Sequence, residues 1–318
     1  MWNSRHPRSR PSRRRGPFVL AALLLAISLS ACGGRDQPQS QSQTLPETQE
    51  ETTPETTSSP EATEERWEVF DRNNFDQSTT IENEWFPLQP GTQFIYEGSS
   101  VEGGKRLPHR VVFTVTDLTK VIDGVRTVVA WDRDYSAGEL VETELALFAQ
   151  DDGGNVWHLG QYPEEYEKGE FVDAPAWIAG FQNARPGISM KAKPEPGAPS
   201  YSQGWGPAVN WTDRARVYRT GEETCVPVDC YEDVLVMEEF SEEEPGAFQL
   251  KYYAPGVGNV RVGWKGDDPS RETLKLVKLV QLSAEALADV RAEALKLEKR
   301  AYTLSKDVYA QTSPAEGP

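Results

Sequence analysis

Between about residue 67 and residue 282 the chain is written mostly in short runs that alternate apolar and polar positions. In residues 110–118, Val111, Phe113 and Val115 share one face. In residues 125–134, Val125, Val129 and Trp131 do so with Thr127, and in residues 140–149 Val141, Leu145 and Leu147 fall on one side. A period of two over successive segments predicts antiparallel strands, because successive side chains of a strand point to opposite faces. Further strands are predicted at 93–97, 156–162, 215–220, 231–240, 248–254, 259–265 and 272–282. Asp123-Gly124, Asp152-Gly153-Gly154 and Pro255-Gly256-Val257-Gly258 supply turn residues between neighbours. The expected fold class is all-β: a single antiparallel barrel or sandwich of about ten strands with a C-terminal α-helix, no internal repeat, and one domain over 67–282.

The alternation fails in two places. Across 169–210 six prolines (Pro175, Pro186, Pro194, Pro196, Pro199, Pro207) interrupt a stretch rich in Gly and aromatic residues, which reads as an irregular insertion carrying function. From Ser283, a residue suited to capping, Leu287, Val290, Ala294, Leu297 and Ala301 recur at spacings of three and four. That stripe predicts a helix over 283–304 docked on the β domain, followed by a polar tail over 305–318.

The first 66 residues follow other rules. Six arginines between Arg5 and Arg15 precede an apolar run, 18–27, that is too short to span a bilayer, and Leu29-Ser30-Ala31-Cys32 then forms a lipobox. The pattern resembles a bacterial lipoprotein signal. It implies removal of residues 1–31, acylation of Cys32 and lipid anchoring to an extracytoplasmic membrane face, at the cell surface or in the periplasm; two or more acyl chains suffice for stable attachment. Arg13-Arg14 leaves twin-arginine export open beside the general route, although Gly16 and Pro17 stand where that signal favours an apolar residue. Residues 34–66 are Gln, Ser, Thr, Glu and Pro with almost no apolar content, a composition expected to remain an unfolded tether on the order of 30 Å across.

Charge narrows the partners. The formal net charge is −17, and loss of the six arginines of the signal would leave −23. Nucleic acid, which demands basic surface, is excluded as an expected partner. Once Cys32 is acylated, Cys225 and Cys230 are the remaining pair, and an exported chain is expected to oxidise them to a local disulfide. A zinc site would need two further soft ligands, for which the mature chain offers only His109 and His158.

The run Asn83-Glu-Trp-Phe-Pro-Leu-Gln-Pro-Gly-Thr-Gln-Phe-Ile-Tyr-Glu-Gly98 resembles the opening of a family of uncharacterised bacterial secreted proteins and lipoproteins. Residues 148–160 (FAQDDGGNVWHLG) and 251–260 (KYYAPGVGNV) strengthen the likeness. The resemblance implies an all-β exported domain and brings no activity with it.

Candidate chemistry falls into three groups. If Ser136-Ala137-Gly138 turns a hairpin, a symmetric register sets Asp132 opposite Glu142 and Asp134 opposite Leu140. Asp132, Asp134, Glu142 and Glu144 then share a face, which could hold Ca²⁺, be neutralised by Arg126, or stand as a solvated acidic surface. Two carboxylates could instead serve as acid and base of a glycosidase-like hydrolase. Trp177, Tyr201, Trp205 and Trp211, with His158, could stack on a sugar or enclose an amphiphile, or form a satellite core that pins the insertion. No nucleophile elbow and no phosphate-cradling loop is present, so no catalytic residue is assigned, and no cofactor is expected beyond that Ca²⁺. The leading expectation is a non-enzymatic module that binds a small ligand or an envelope component such as a glycan. The alternatives are the hydrolase and a structural or protein-interaction element of the envelope.

Overall fold

The computed structural model describes residues 67–318; the signal, Cys32 and the tether lie outside the described residues. Within them the chain forms strands β1 (Thr92–Glu102), β2 (Lys105–Ile122), β3 (Val125–Ser136), β4 (Glu139–Gln150), β5 (Val156–Glu167), β6 (Glu170–Asp173), β7 (Trp177–Ile178), β8 (Arg185–Met190), β9 (Tyr201–Gly206), β10 (Trp211–Cys225), β11 (Cys230–Phe240), β12 (Ala247–Ala254), β13 (Gly258–Gly266) and β14 (Thr273–Gln281). Helix α1 (Ala284–Leu304) follows, with its first turn capped by the Ser283 hydroxyl, which accepts from the Ala286 N–H.

Hydrogen bonding runs without a break from β4 through β3, β2, β1, β14, β13, β12, β11, β10, β9 and β8 to β5, and β5 pairs back onto β4. The result is a closed antiparallel barrel of twelve strands, which decides between barrel and sandwich. Closure removes the exposed edges that a sandwich must protect. Eight strands are just filled by their own side chains, and wider barrels enclose a lumen.

The stretch expected to be irregular, 169–210, contains four short strands, and two of them, β8 and β9, are staves of the barrel. Alternation failed to reveal them because Pro186, Gly187, Gly204 and Gly206 replace the apolar residues that normally mark a strand. The segment of 305–318 is also more ordered than a polar tail: Val308 and Tyr309 are buried, and Glu316 bridges to Thr119 of β2.

A segment ahead of β1 closes one end of the barrel with Ile81, Phe86 and Leu88. Phe86 touches Phe148 of β4 (5.6 Å between ring centres) and Tyr253 of β12 (6.3 Å), strands far apart around the ring, so it sits inside. Helix α1 lies on the outer wall. It buries Ala294, Leu297 and Ala301 but is held equally by charge: Lys120 to Glu298 (2.9 Å), Arg291 to Asp117 (2.6 Å) and Arg300 to Glu164 (2.7 Å). Lys120 is fully buried between the rings of Tyr302 and Tyr309 and also donates to the carbonyl of Ser313.

Candidate functional site in the barrel lumen

The register of the first five strands aligns two inward rows. One reads Phe94, Phe113, Asp132, Glu144 and Pro163; the next reads Tyr96, Val111, Asp134, Glu142 and Glu165. Asp132 is therefore directly opposite Glu144, and Asp134 opposite Glu142. The symmetric register expected from the sequence is displaced by two residues. The turn is the two-residue Ala137-Gly138, both at positive φ (50° and 88°), and Val141 bulges between Asp134 and Tyr135.

A solvated acidic face is not what forms. Asp132 is 8 % exposed, Asp134 3 % and Glu144 6 %, all directed into the lumen, with Glu142 half-buried beside them. Arg126 does not neutralise them; it pairs with Glu316 at 2.6 Å. Among the described residues no group of three His, Cys, Asp or Glu side chains is arranged to hold a metal ion. Carboxyls this close and this buried resist ionisation. Burial, then the charges of Glu144 and Asp134, holds the Asp132 carboxyl well above its usual range. Glu142 is raised likewise by burial and by Glu144, Asp134, Asp132 and Glu165. Burial brings Glu144 to about 7, and burial with Asp173 and Glu167 brings Glu165 to about 7.

The group that organises this corner is a histidine that entered the sequence reading only as one of two available to a zinc site. His109, 5 % exposed, lies between Asp134, which meets its Nε2, and Glu272, whose carboxylate is 2.8 Å from Nδ1. Burial opposes the imidazolium, but hydrogen bonds and charge from Asp134 and Glu272 outweigh it and raise the histidine to about 11. The bridge depends on Gly98, which pairs with both His109 and Leu274: a side chain there would place its Cβ 1.7 Å from the Thr273 carbonyl oxygen. Strand parity puts His109 on the same face as Val111 and Phe113. Glu272, the first residue of the strand expected at 272–282, falls just ahead of β14, and nothing local to it marked it as a partner of His109. Gln249 of β12 donates to Glu272 at 2.5 Å, and on the next strand Glu239 takes Lys251 at 2.6 Å and Gln203 at 3.2 Å, extending the polar lining.

The predicted aromatic residues divide. His158, Trp177 and Trp211 meet inside the barrel: the tryptophan rings stack at 4.6 Å, and His158 lies edge-on to both at 4.9 and 5.6 Å, with its other side against Phe148 at 5.0 Å. Gly204 makes the room, since a Cβ there would lie 2.7 Å from Trp177 and 2.8 Å from Trp211. Burial drives the His158 ring down to about 3, so it is neutral. Tyr201 is buried nearby on β9, under Lys191. Trp205 is not part of the group; it packs against Trp67, with ring centres 4.6 Å apart and planes tilted by 34°. Cys225 and Cys230 are disulfide-bonded where β10 meets β11, and Cys32 lies outside the described residues.

Between the acids and the rings the wall is lined by the facing pair Ala130 and Ala146, with Gln161 next to Ala146 and Trp177 next to Gln161. Several buried polar atoms along this wall have no hydrogen-bond partner: Asp132 Oδ1, Asp134 Oδ2, and Nε1 of Trp177 and Trp211. The closed end is packed, with a recess among Phe86, Phe94, Tyr96, Phe113 and Tyr253 that has room for about one water molecule.

No protein-family model matches the chain, and none of the curated proteins matches it. Among solved structures it is similar to a "putative exported protein with YmcC-like fold" from Bacteroides fragilis, at 16% identity and a TM-score of 0.37, over 62% of this chain and 99% of that one. It is also similar to a "putative lipoprotein" from Parabacteroides distasonis, at 14% identity and a TM-score of 0.36, over 64% of this chain and 100% of that one. Likeness at this level assigns neither family nor function.

Proposed function

We propose that this chain is an extracytoplasmic lipoprotein, anchored through Cys32, that binds a small ligand inside its barrel. The observation that carries the reading is the set of orphaned polar atoms on Asp132, Asp134, Trp177 and Trp211, all on the inner wall. Buried polar groups are nearly always hydrogen-bonded, and leaving one unpaired costs about 1–3 kcal/mol. Several on one wall describe a surface completed by a molecule that supplies the missing partners. The hydrolase reading calls for two acids facing each other across a cleft, whereas these stand side by side on β3 and β4. An interaction element calls for a broad exposed apolar patch, and among the described residues Phe171 and Val172 are the only adjacent large apolar side chains so exposed.

The test is native mass spectrometry of the lipoprotein released from its own membrane, wild type beside Ala146→Trp, a substitution that fills the lumen while leaving every polar group in place. A bound small molecule lost in the variant is the expected result. A wild type that carries nothing, or a ligand retained equally by the folded variant, overturns the proposal.

A further inference from the structure

Among the described residues no basic side chain is paired with Asp132, Glu142 or Glu144, and the wall beside them offers what a cation's organic body would need. Around Asp132, Glu142 and Glu144 the inward neighbours are Phe113 and Val111 on β2, Tyr96 on β1, Asp134 on β3, and Gln161, Pro163 and Glu165 on β5. None of these is basic. The cations nearest by topology are committed elsewhere: His109 to Asp134 and Glu272, Lys251 to Glu239, and Arg133, on the opposite face of β3, to the ring of Trp131 at 4.1 Å. Asp132 Oδ1 and Asp134 Oδ2 are unpartnered and buried, which sets this cluster apart from an ordinary acidic patch.

Resting on the lumen reading above, we propose that the ligand is an organic cation: a protonated amine whose nitrogen sits among Asp132, Glu142 and Glu144 and whose apolar or aromatic body passes Ala130 and Ala146 to lie against Trp177, Trp211 and Phe148. The two halves are in reach of one ligand, because Glu144 and Phe148 are four residues apart on one strand, about 13 Å. Electron-rich ring faces favour a cation and its adjacent methylenes, and a neutral His158 adds no competing charge. An anion would meet like charge, and among the described residues the nearest cations, His109 and Lys251, are already paired with acids. A neutral alcohol could fill the same hydrogen bonds but would gain nothing from ionising the carboxyls.

Proton balance follows from the chemistry. The amine enters and stays protonated, and a carboxyl that was neutral in the empty lumen loses its proton to solvent. Binding therefore releases protons and tightens as pH rises through the range where Glu144 and Glu165 titrate, near 7, with the His109 cation unchanged across that range.

The experiment is calorimetric titration of the full-length lipoprotein in lipid nanodiscs, with empty discs subtracted, against tryptamine, tryptophol and indole-3-acetate, which share a ring and differ in head charge. At pH 8 tryptamine is expected to bind at least tenfold tighter than tryptophol, and at pH 6, where the carboxyls start neutral, its binding should show net proton release between buffers of different ionisation enthalpy. The advantage should shrink at pH 5 and be lost in Glu144→Gln, whose side chain copies the neutral acid and so keeps the fold. Asp132→Asn should act in the same direction, with thermal melts establishing that both variants are folded. Equal or tighter binding of tryptophol or indole-3-acetate overturns the cation assignment while leaving the lumen as a binding site. Failure of all three probes also overturns it, and the comparison with Ala146→Trp then shows whether the lumen reading falls too.

Discussion

Glu144 and His109 perturb stability through opposite kinds of environment, and both leave a pH signature. A carboxyl raised by burial to about 7 binds its proton more tightly in the folded chain than in the unfolded one. Its contribution is fully present below the unfolded value of 4.5 and is lost as pH rises through 7. Glu144→Gln should therefore raise the melting temperature at pH 8, by an amount corresponding to roughly 1–3 kcal/mol, and change it little at pH 4. A Tm–pH profile for the two proteins checks this, and an equal effect at both pH values would refute it. His109 is raised by its partners to about 11, so its contribution holds below 6.5 and fades as pH climbs toward 11. His109→Ala leaves Asp134 and Glu272 buried without their shared cation, and urea unfolding at pH 6 should show a loss of about 3–5 kcal/mol. The loss should narrow at pH 10.

At the scale of elements, α1 is attached differently from the amphipathic docking its stripe suggested. Leu287 and Val290 are only half-buried, and Glu298, from the expected polar face, is among its buried residues. Lys120 of β2 is the reason: it lies fully buried with Glu298 at 2.9 Å, and the Ala315 N–H also donates to that carboxylate. Breaking one side of a buried pair is worse than removing both. Lys120→Met alone should cost about 3 kcal/mol in chemical denaturation, and adding Glu298→Gln should recover most of it. Additive losses in the double variant would show that the pair is not coupled. The β3–β4 hairpin makes the same point about register. The expected symmetric pairing had the acids on one face correctly, but the two-residue turn and the Val141 bulge set which acid faces which.

For the whole molecule, the barrel and its anchor are separable predictions. Cys32→Ser should abolish palmitate labelling in cells and move the protein from the membrane to the soluble fraction, since the proposed attachment rests on that one residue. Unchanged labelling and sedimentation would rule out the lipobox reading. Closure of the sheet is a matter for the whole chain: β1 meets β14, and β5 must pair with β4 on one side and β8 on the other.

The sequence by itself determined the elements whose cause is local. Period-two alternation marked the strands from β1 to β5 and β10 to β14, the three-and-four spacing after Ser283 marked α1, and an exported chain with one spare pair of cysteines indicated the Cys225–Cys230 link. It also placed Asp132, Asp134, Glu142 and Glu144 on one face, because side-chain parity survives a register shift of two. What only the tertiary structure decided is what that face looks toward. Alternation states that a strand has two sides and not which becomes the lumen, so acids that read as surface turn out to be interior, and the aromatic set divides, with His158, Trp177 and Trp211 inside and Trp205 packed against Trp67. The staves β8 and β9 escaped notice because glycines there exchange side-chain signal for close packing. His109 found its partners only when β2, β3 and the approach to β14 were brought together around Gly98. Contacts between residues far apart in sequence depend on closure of the barrel, and closure is not written in any local run.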